Sequence, residues 1–340
     1  MKFVIGITWD PRLGFRFADV LADCSGANVE VIGARFPRKQ PRFVKYSVVW
    51  PLYVLVSLRL FIKSWSCDRV ICWQQAYGVS LGFLFHALQF IGVRPKASID
   101  VLTFILTPSK RQGLWLSVLA FSLSADAVKK VVVYNLAEYD LYKKLFPKVA
   151  HKFAYTLYPA ADVPETFISK REVGDFYLAV GRSNRDHEFL RDYFQSRQNR
   201  SCYVLTDQKL QSKSGNFFVV GGVFGDEYFD YLRRCKAVII PFLDPTASSG
   251  QLVYLQAMQL GKPVLVSVSR CLEGYLLDGV TGIYFEKTFS GMDVALERVE
   301  NSAWYADATA RCAADYGLRF GFLKLARDYC SILAGVSVVS

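Results

Sequence analysis

The sequence predicts an α/β protein built from two consecutive doubly wound domains. Two observations carry this. Short apolar runs rich in Val and Ile alternate with segments of helical period, first over residues 2–158 and again over residues 176–285. Between the two series lies Pro159-Ala160-Ala161-Asp162-Val163-Pro164, which reads as a hinge between prolines. The 340-residue length agrees, since it exceeds one ordinary core and suits two domains of about 150–200 residues. The expected division is 1–163 and 164–340.

In the first half the predicted strands are Lys2–Thr8, Val29–Gly33, Arg69–Trp73, Ala97–Leu106, Val131–Tyr134 and Tyr155–Tyr158. Helices are expected near Phe15–Cys24 and Leu136–Phe146, and three apolar segments lie at Val48–Ile62, Val79–Val93 and Leu114–Ala125. The second half gives strands at Phe176–Val180, Cys202–Thr206, Phe217–Val220, Ala237–Ile240, Pro263–Val268 and Gly282–Phe285. Its helices are Arg185–Gln195, Phe224–Cys235, Gln251–Gln259 and a long tail from Ser302 to Leu333.

A 52% hydrophobic composition excludes a disordered chain and permits large buried parallel sheets. Eight scattered cysteines form no C-x-x-C pair, the pattern of reduced core thiols and not of a zinc site or disulfide framework. The three histidines show no metal spacing. Residues 1–7 read as a first strand and not a signal peptide, so the expected compartment is the cytosol.

The net charge of +11 is uneven. Residues 1–165 hold 21 Lys/Arg against 11 Asp/Glu, while the remainder is almost balanced. A basic half beside a neutral one points to an anionic surface. Arg35, Arg38, Lys39, Arg42 and Lys45 stand among aromatics directly before Val48–Ile62, a segment carrying Trp50 and Arg59 and closed by Lys63. No segment reaches the roughly 20 uninterrupted apolar residues that span a bilayer. Cationic flanks around such a segment fit a helix lying in the membrane interface, although the same segments also suit core helices. No nucleic-acid motif accompanies the charge, so nucleic acid is not the expected partner.

The chemistry concentrates in Pro241–Val264. A buried strand runs into Thr246-Ala247-Ser248-Ser249-Gly250-Gln251, and that loop opens a helix. Small residues let backbone N–H groups approach a ligand, and the helix start adds unpaired donors and positive potential. The physics suits a diphosphate; the alternative is a simple N-cap. Upstream, Gly181-Arg182-Ser183-Asn184-Arg185 follows another strand, and guanidinium groups bind phosphate in a fixed fork. Asp100, Asp10 and Glu138 are acidic residues near strand ends or helix starts, and His187 lies in the Arg185 helix. A base that takes a hydroxyl proton is sought first at Asp100 and then at Asp10.

The segment Pro241…Gly250…Leu255, Ala257, Met258…Gly261, Pro263, Val264, with the later Asp278-Gly279-Val280-Thr281-Gly282, resembles the sugar-nucleotide signature of the "group 1" glycosyltransferases. That resemblance implies a GT-B fold: two Rossmann-like doubly wound domains facing across a cleft, the last helix crossing back to the first domain. It implies a nucleoside-diphosphate sugar as donor and a lipid-linked or glycan hydroxyl as acceptor. No cofactor is expected, and with no Asp-x-Asp motif present no metal is either. On this reading Arg182, Arg185, Ser248, Ser249, Gly250 and Gln251 hold the diphosphate and Gln256 the ribose. The basic face docks on the cytoplasmic side of a membrane, with Arg35, Arg38, Lys39, Arg42, Lys45, Trp50, Arg59 and Lys63 as contacts. One departure stands out. Many members carry two glutamates eight positions apart, where this chain has Ser248 and Gln256. The stereochemical outcome stays open, and so does a scaffold that binds without catalysing.

Overall fold

The computed structural model describes all residues except 14, 38–44, 107–112, 160–162, 170–171, 212–214, 247–248 and 337–340. The chain divides into two compact units: Met1–Thr156 together with Phe322–Ser340, and Leu157–Gly321.

The first unit runs β1 (Lys2–Gly6), α1 (Arg16–Ser25), β2 (Asn28–Ile32), α2 (Trp50–Lys63), β3 (Arg69–Cys72), α3 (Gln75–Gln89), β4 (Ser98–Val101), α4 (Leu114–Ser124), β5 (Val128–Val133), α5 (Leu136–Leu145) and β6 (Phe153–Tyr155). The strands form one parallel sheet in the order β2-β1-β3-β4-β5-β6. Runs such as Val131-Val132-Val133 are buried on both sides, which is why they read as continuous apolar strings and not as alternations. Right-handed crossovers place α2, α3 and α4 on one face, since each connects to a strand farther along the same direction of the sheet.

The second unit contains α6 (Glu165–Ile168), β7 (Tyr177–Val180), α7 (His187–Ser196), β8 (Cys202–Leu205), β9 (Phe217–Val220), α8 (Asp226–Arg234), β10 (Val238–Ile240), α9 (Gln251–Gln259), β11 (Val264–Ser267), β12 (Gly282–Phe285), α10 (Phe289–Glu300) and α11 (Ser302–Arg319). Its sheet is also parallel, in the order β12-β11-β10-β7-β8-β9. Counted within the unit, the order is that of the dinucleotide-binding folds, reversing between β7 and β10. Leu178 packs into the core on one face and Tyr177 and Ala179 into the core on the other.

The strand expected at Ala97–Leu106 shortens to Ser98–Val101, that at Tyr155–Tyr158 moves to Phe153–Tyr155, α6 was not expected, and two longer helical regions differ as well. The tail is not one helix from Ser302 to Leu333: it stops at extended Phe320 and turns at Gly321, whose φ of 97° suits glycine. The second piece, α12 (Phe322–Leu333), belongs to the first unit. Helix α10 was hidden because Ser290 and Gly291 are poor helix formers. It forms because Thr288 caps the Gly291 amide at 3.0 Å and Met292, Ala295, Leu296 and Val299 bury one stripe.

Asp100 is not at an accessible strand end. It lies within β4, fully buried, where its carboxylate accepts bonds from the Arg69 guanidinium and the Tyr329 hydroxyl of α12. Burial pushes its carboxyl up, and the Arg69 charge opposes that shift. A base must touch the proton it takes, and this carboxylate is enclosed. The geometry makes it an internal anchor for α12. Thr156 completes the seam, its hydroxyl donating to Asp328 at 2.7 Å. In urea denaturation, Arg69→Met is expected to cost about 3–5 kcal/mol by stranding a buried carboxylate, and Tyr329→Phe about 1–3 kcal/mol. Arg69→Met with Asp100→Leu should recover most of that loss. Wild-type stability in Arg69→Met would remove the anchor.

Candidate functional site

In open parallel sheets the crevice for a ligand forms beyond the carboxyl ends of the strands where the order reverses. In the second unit that point lies between β7 and β10, and the loops that leave them are Gly181–Asp186 and Pro241–Gly250. They are tied together by Asn184, whose side chain donates to the Asp244 carbonyl at 2.9 Å and accepts from its amide at 2.7 Å. The Asp186 amide donates to the Pro241 carbonyl at 2.8 Å. Lys287 reaches both loops, 2.9 Å from the Asp186 carboxylate and 3.0 Å from the Phe242 carbonyl.

Arg185 is the centre of this knot. It is 4% exposed and donates to the carbonyls of Val180, Ser183 and Asn184 at 3.1–3.2 Å and to Ser249 Oγ at 2.9 Å. Its guanidinium lies over the Phe242 ring, 5.5 Å from the centroid. No carboxylate pairs with it among the described residues. Burial draws it down to about 10, so it remains charged at neutral pH. Gly250 adopts φ 87°, and a Cβ there would collide with the guanidinium, so the position needs glycine. Behind Gly250 starts α9, whose first turn has no side-chain cap among the described residues. Its end therefore presents amide donors and the positive end of the helix dipole.

Arg182 behaves differently. Its side chain is 73% exposed and sits 3.6 Å from Asp207, a loose contact from which it can swing. The sequence reading gave both arginines one task, and the structure separates them: Arg185 orders the loops, and Arg182 is the mobile cation. Ser249 is occupied by Arg185. Ser248 lies outside the described residues. Gln251 opens α9. His187 is buried, its Nε2 donating to the Gly181 carbonyl at 2.7 Å, so it stabilises the turn; burial lowers its pKa.

Beside these loops lies a cavity of about 270 Å³ over the ends of β7, β8 and β9. Gln256 lines it, 5% exposed, with its Oε1 accepting from the Tyr228 hydroxyl at 3.0 Å. That bond fixes the amide so that its NH₂ is the free, donating end. Sequence reasoning missed the rest of the lining: Asp207, Gly222, Phe224, Gly225 and Tyr228. The signal was the Gly221-Gly222-Val223-Phe224-Gly225 run directly after a strand. Asp207 Oδ1 holds the Gly222 amide at 3.1 Å, and Phe224 is 70% exposed at the mouth.

In the first unit the order reverses between β1 and β3. The loop after β1 carries Asp10, whose carboxylate Arg12 holds at about 2, through bonds of 2.7–3.2 Å and its amide at 3.0 Å. Asp10 is thus ionised and a weak base. Gln74, following β3, reaches Thr8 at 3.4 Å, and Trp9, Phe15 and Trp73 pack edge to face beneath. Glu138 is buried in the first turn of α5, where Asn135 caps its amide at 2.9 Å.

The membrane-contact residues are only partly in view. Arg38, Lys39 and Arg42 lie outside the described residues, and the Lys45 side chain is not described. Arg35, Trp50 and Arg59 are exposed, and Lys63 pairs with Glu30 at 2.6 Å. Among the described residues no helix is long and apolar enough to cross a membrane, and no group of three His, Cys, Asp or Glu side chains could hold a metal.

No family model and no curated protein matches the chain by sequence. Solved structures do match in fold. HepE from Anabaena, in complex with UDP and glucose, superposes with a TM-score of 0.65 at 14% identity, over 99% of this chain and 100% of that one. Sucrose-phosphate synthase from Thermosynechococcus elongatus gives 0.66 at 12% identity, over 98% and 100%. WaaG, a glycosyltransferase involved in lipopolysaccharide biosynthesis, gives 0.57 at 12%, over 98% and 100%. The fold is that of the GT-B glycosyltransferases, and the likeness runs through both units.

The two arginines should part company under mutation. Arg185→Ala removes a charged knot of hydrogen bonds and is expected to cost about 2–4 kcal/mol of stability. Arg182→Ala should stay within roughly 0.5 kcal/mol of wild type, as exposed sites do. Chemical denaturation of both variants checks this, and equal losses would contradict the division of roles.

Proposed function

We propose that the protein is a glycosyltransferase that moves a sugar from a nucleoside-diphosphate sugar to an acceptor hydroxyl. The observation that carries it is the uncapped start of α9 beside a buried, carboxylate-free Arg185, next to a cavity lined by Gln256. An anion is wanted there, and HepE, of the same fold, is a UDP complex. In this reading the diphosphate lies against the Ser249–Gln251 amides, Arg182 folds over it, and the Gln256 NH₂ donates to ribose. Phe224 at the mouth offers a face for the base.

Transfer requires the acceptor oxygen to attack the anomeric carbon while the bond to the diphosphate oxygen breaks, its electron pair leaving with the diphosphate and the hydroxyl proton passing to the departing diphosphate or to water. The growing charge on that oxygen is met by Arg182 and by the amides at the head of α9, oriented before the reaction begins. That chemistry does not call for a metal. Arg182→Ala is expected to weaken nucleoside-diphosphate binding by about 1.5–3 kcal/mol, and Gln256→Leu to weaken it with the fold intact. Calorimetry with UDP, GDP and ADP reads both. Unchanged affinity in both variants would move the donor elsewhere. Binding without turnover against any glycan or lipid-linked acceptor would leave a scaffold in place of an enzyme.

The acceptor we favour is lipid-linked, presented at the cytoplasmic surface of a membrane. On α2, Trp50, Val54, Leu55, Leu58 and Ile62 are 42–66% exposed, and the neighbouring α3 exposes Phe83 and, just beyond it, Phe90 and Ile91. A face this apolar in water marks a contact surface. At 14 residues α2 is about 21 Å long, too short to span and suited to lie in the interface. Co-sedimentation with anionic liposomes should fall with salt without vanishing, because the apolar part is not screened. Trp50→Ser with Ile62→Ser should abolish the salt-resistant part. Wild-type protein that ignores anionic liposomes at low salt would refute the membrane reading.

A further inference from the structure

Helix α9 joins two places in the second unit. Its head meets the Ser249–Gly250 loop, and its tail meets a separate cavity of about 120 Å³. Phe167, Ile168, Val173 and Leu260 form apolar walls, and Lys262 and Thr309 also line it. Gly261, at φ 68°, closes the wall so tightly that a Cβ would stand 3.0 Å from the Thr309 methyl carbon.

Lys262 is the anomaly. It is 5% exposed, and its ammonium has no hydrogen bond and no carboxylate among the described residues. Its charged neighbour is a second cation, Arg233, which lies among carboxylates of its own: Asp230 at 2.7 Å and Glu172 at 3.0 Å. Burial and that cation both lower the Lys262 pKa. The Thr309 hydroxyl is turned away from the space, beside the Tyr305 hydroxyl. Enclosing an ammonium without a partner is costly, and lysine is among the residues least often buried alone. That cost falls when an acceptor ligand in the cavity meets the ammonium.

We propose that this cavity is a ligand site for a small monocarboxylate with a short apolar body, its carboxylate on the Lys262 ammonium and its chain against Phe167, Ile168 and Leu260. A single charge fits because one cation is uncompensated among the described residues, while Glu172 at the wall repels a second negative charge. The volume holds several waters and therefore a short carboxylate. The place gives the occupant leverage. Gln259, also lining the cavity, accepts from the Val163 amide at 2.8 Å, on the segment that leads in from the first unit. Helix α8 carries Arg233 here and Tyr228 in the nucleotide cavity, as α9 carries Gln259 here and Gln256 there. The site is separate from the donor site and does not depend on that assignment.

The test is calorimetry and thermal melting with sodium butyrate, against sodium chloride, butylamine and inorganic phosphate at equal ionic strength. Butyrate should raise the melting point saturably, and the controls should not. Lys262→Met should weaken butyrate at least about tenfold. Its own melting point should not fall, because the substitution removes an unpaired buried charge and keeps the chain length. Ile168→Ala, which shortens the apolar wall, should weaken butyrate several-fold and serves if Lys262→Met does not fold. The proposal is overturned if acetate, butyrate and hexanoate all fail to bind saturably, if Lys262→Met binds butyrate like wild type, or if phosphate binds more tightly.

Discussion

The loop site of the second unit depends on one buried charge. Arg185 joins the loops that leave β7 and β10, and every constraint there follows from it. Gly250 must lack a side chain because the guanidinium fills that space. Asn184 takes φ 56°, a conformation that asparagine tolerates, so that its own side chain can hold Asp244. Lysine could not replace the arginine, since bonds to three carbonyls and a hydroxyl in different directions need the planar fork. All four acceptors are neutral. The positive charge is therefore solvated but never cancelled, and its field remains at the head of α9 for an anion to meet.

That design explains what the sequence could disclose and what it could not. Alternation of buried strands and helices is a local property, so both sheets were legible, down to Phe217–Val220, Gln251–Gln259 and Gly282–Phe285. Small residues ahead of a helix are local too, and they drew attention to Ser249 and Gly250. The roles of the arginines were not local. Arg182 and Arg185 stand three residues apart, and only the path of the loop decides that one is enclosed and the other exposed. Asp100 was misplaced for the same reason. Its partner Tyr329 lies 229 residues downstream, on a helix whose return to the first unit no periodicity reveals.

Asp100 also shows how the returning helix is held. A buried ion pair seldom adds net stability over an apolar equivalent, but it discriminates strongly between right and wrong partners. Helix α12 can seat itself only where a hydroxyl from Tyr329 meets the Asp100–Arg69 pair and where Asp328 meets Thr156. The apolar contacts of α12, with Leu325, Ala326, Tyr329 and Ile332 buried, supply the adhesion. The polar seam supplies the register.

Burial alone therefore does not distinguish a structural charge from a functional one; compensation does. Asp100 is fully enclosed, and one of its carboxylate oxygens is answered by a cation and a hydroxyl from its own chain, so its charge is met within the fold. Arg185 is enclosed and answered only by dipoles, and Lys262 is enclosed and answered by no described group. If the cost of each buried charge must be met in the working protein, the unmet part has to be supplied from outside the chain. At Arg185 the loops already carry much of that cost through the three carbonyls and the Ser249 hydroxyl, which allows the site to stay ordered when empty. At Lys262 there is no such sharing. The occupant there would relieve more of the cost, and its effect would be felt as stability of the α8–α9 end of the unit before it was felt as chemistry.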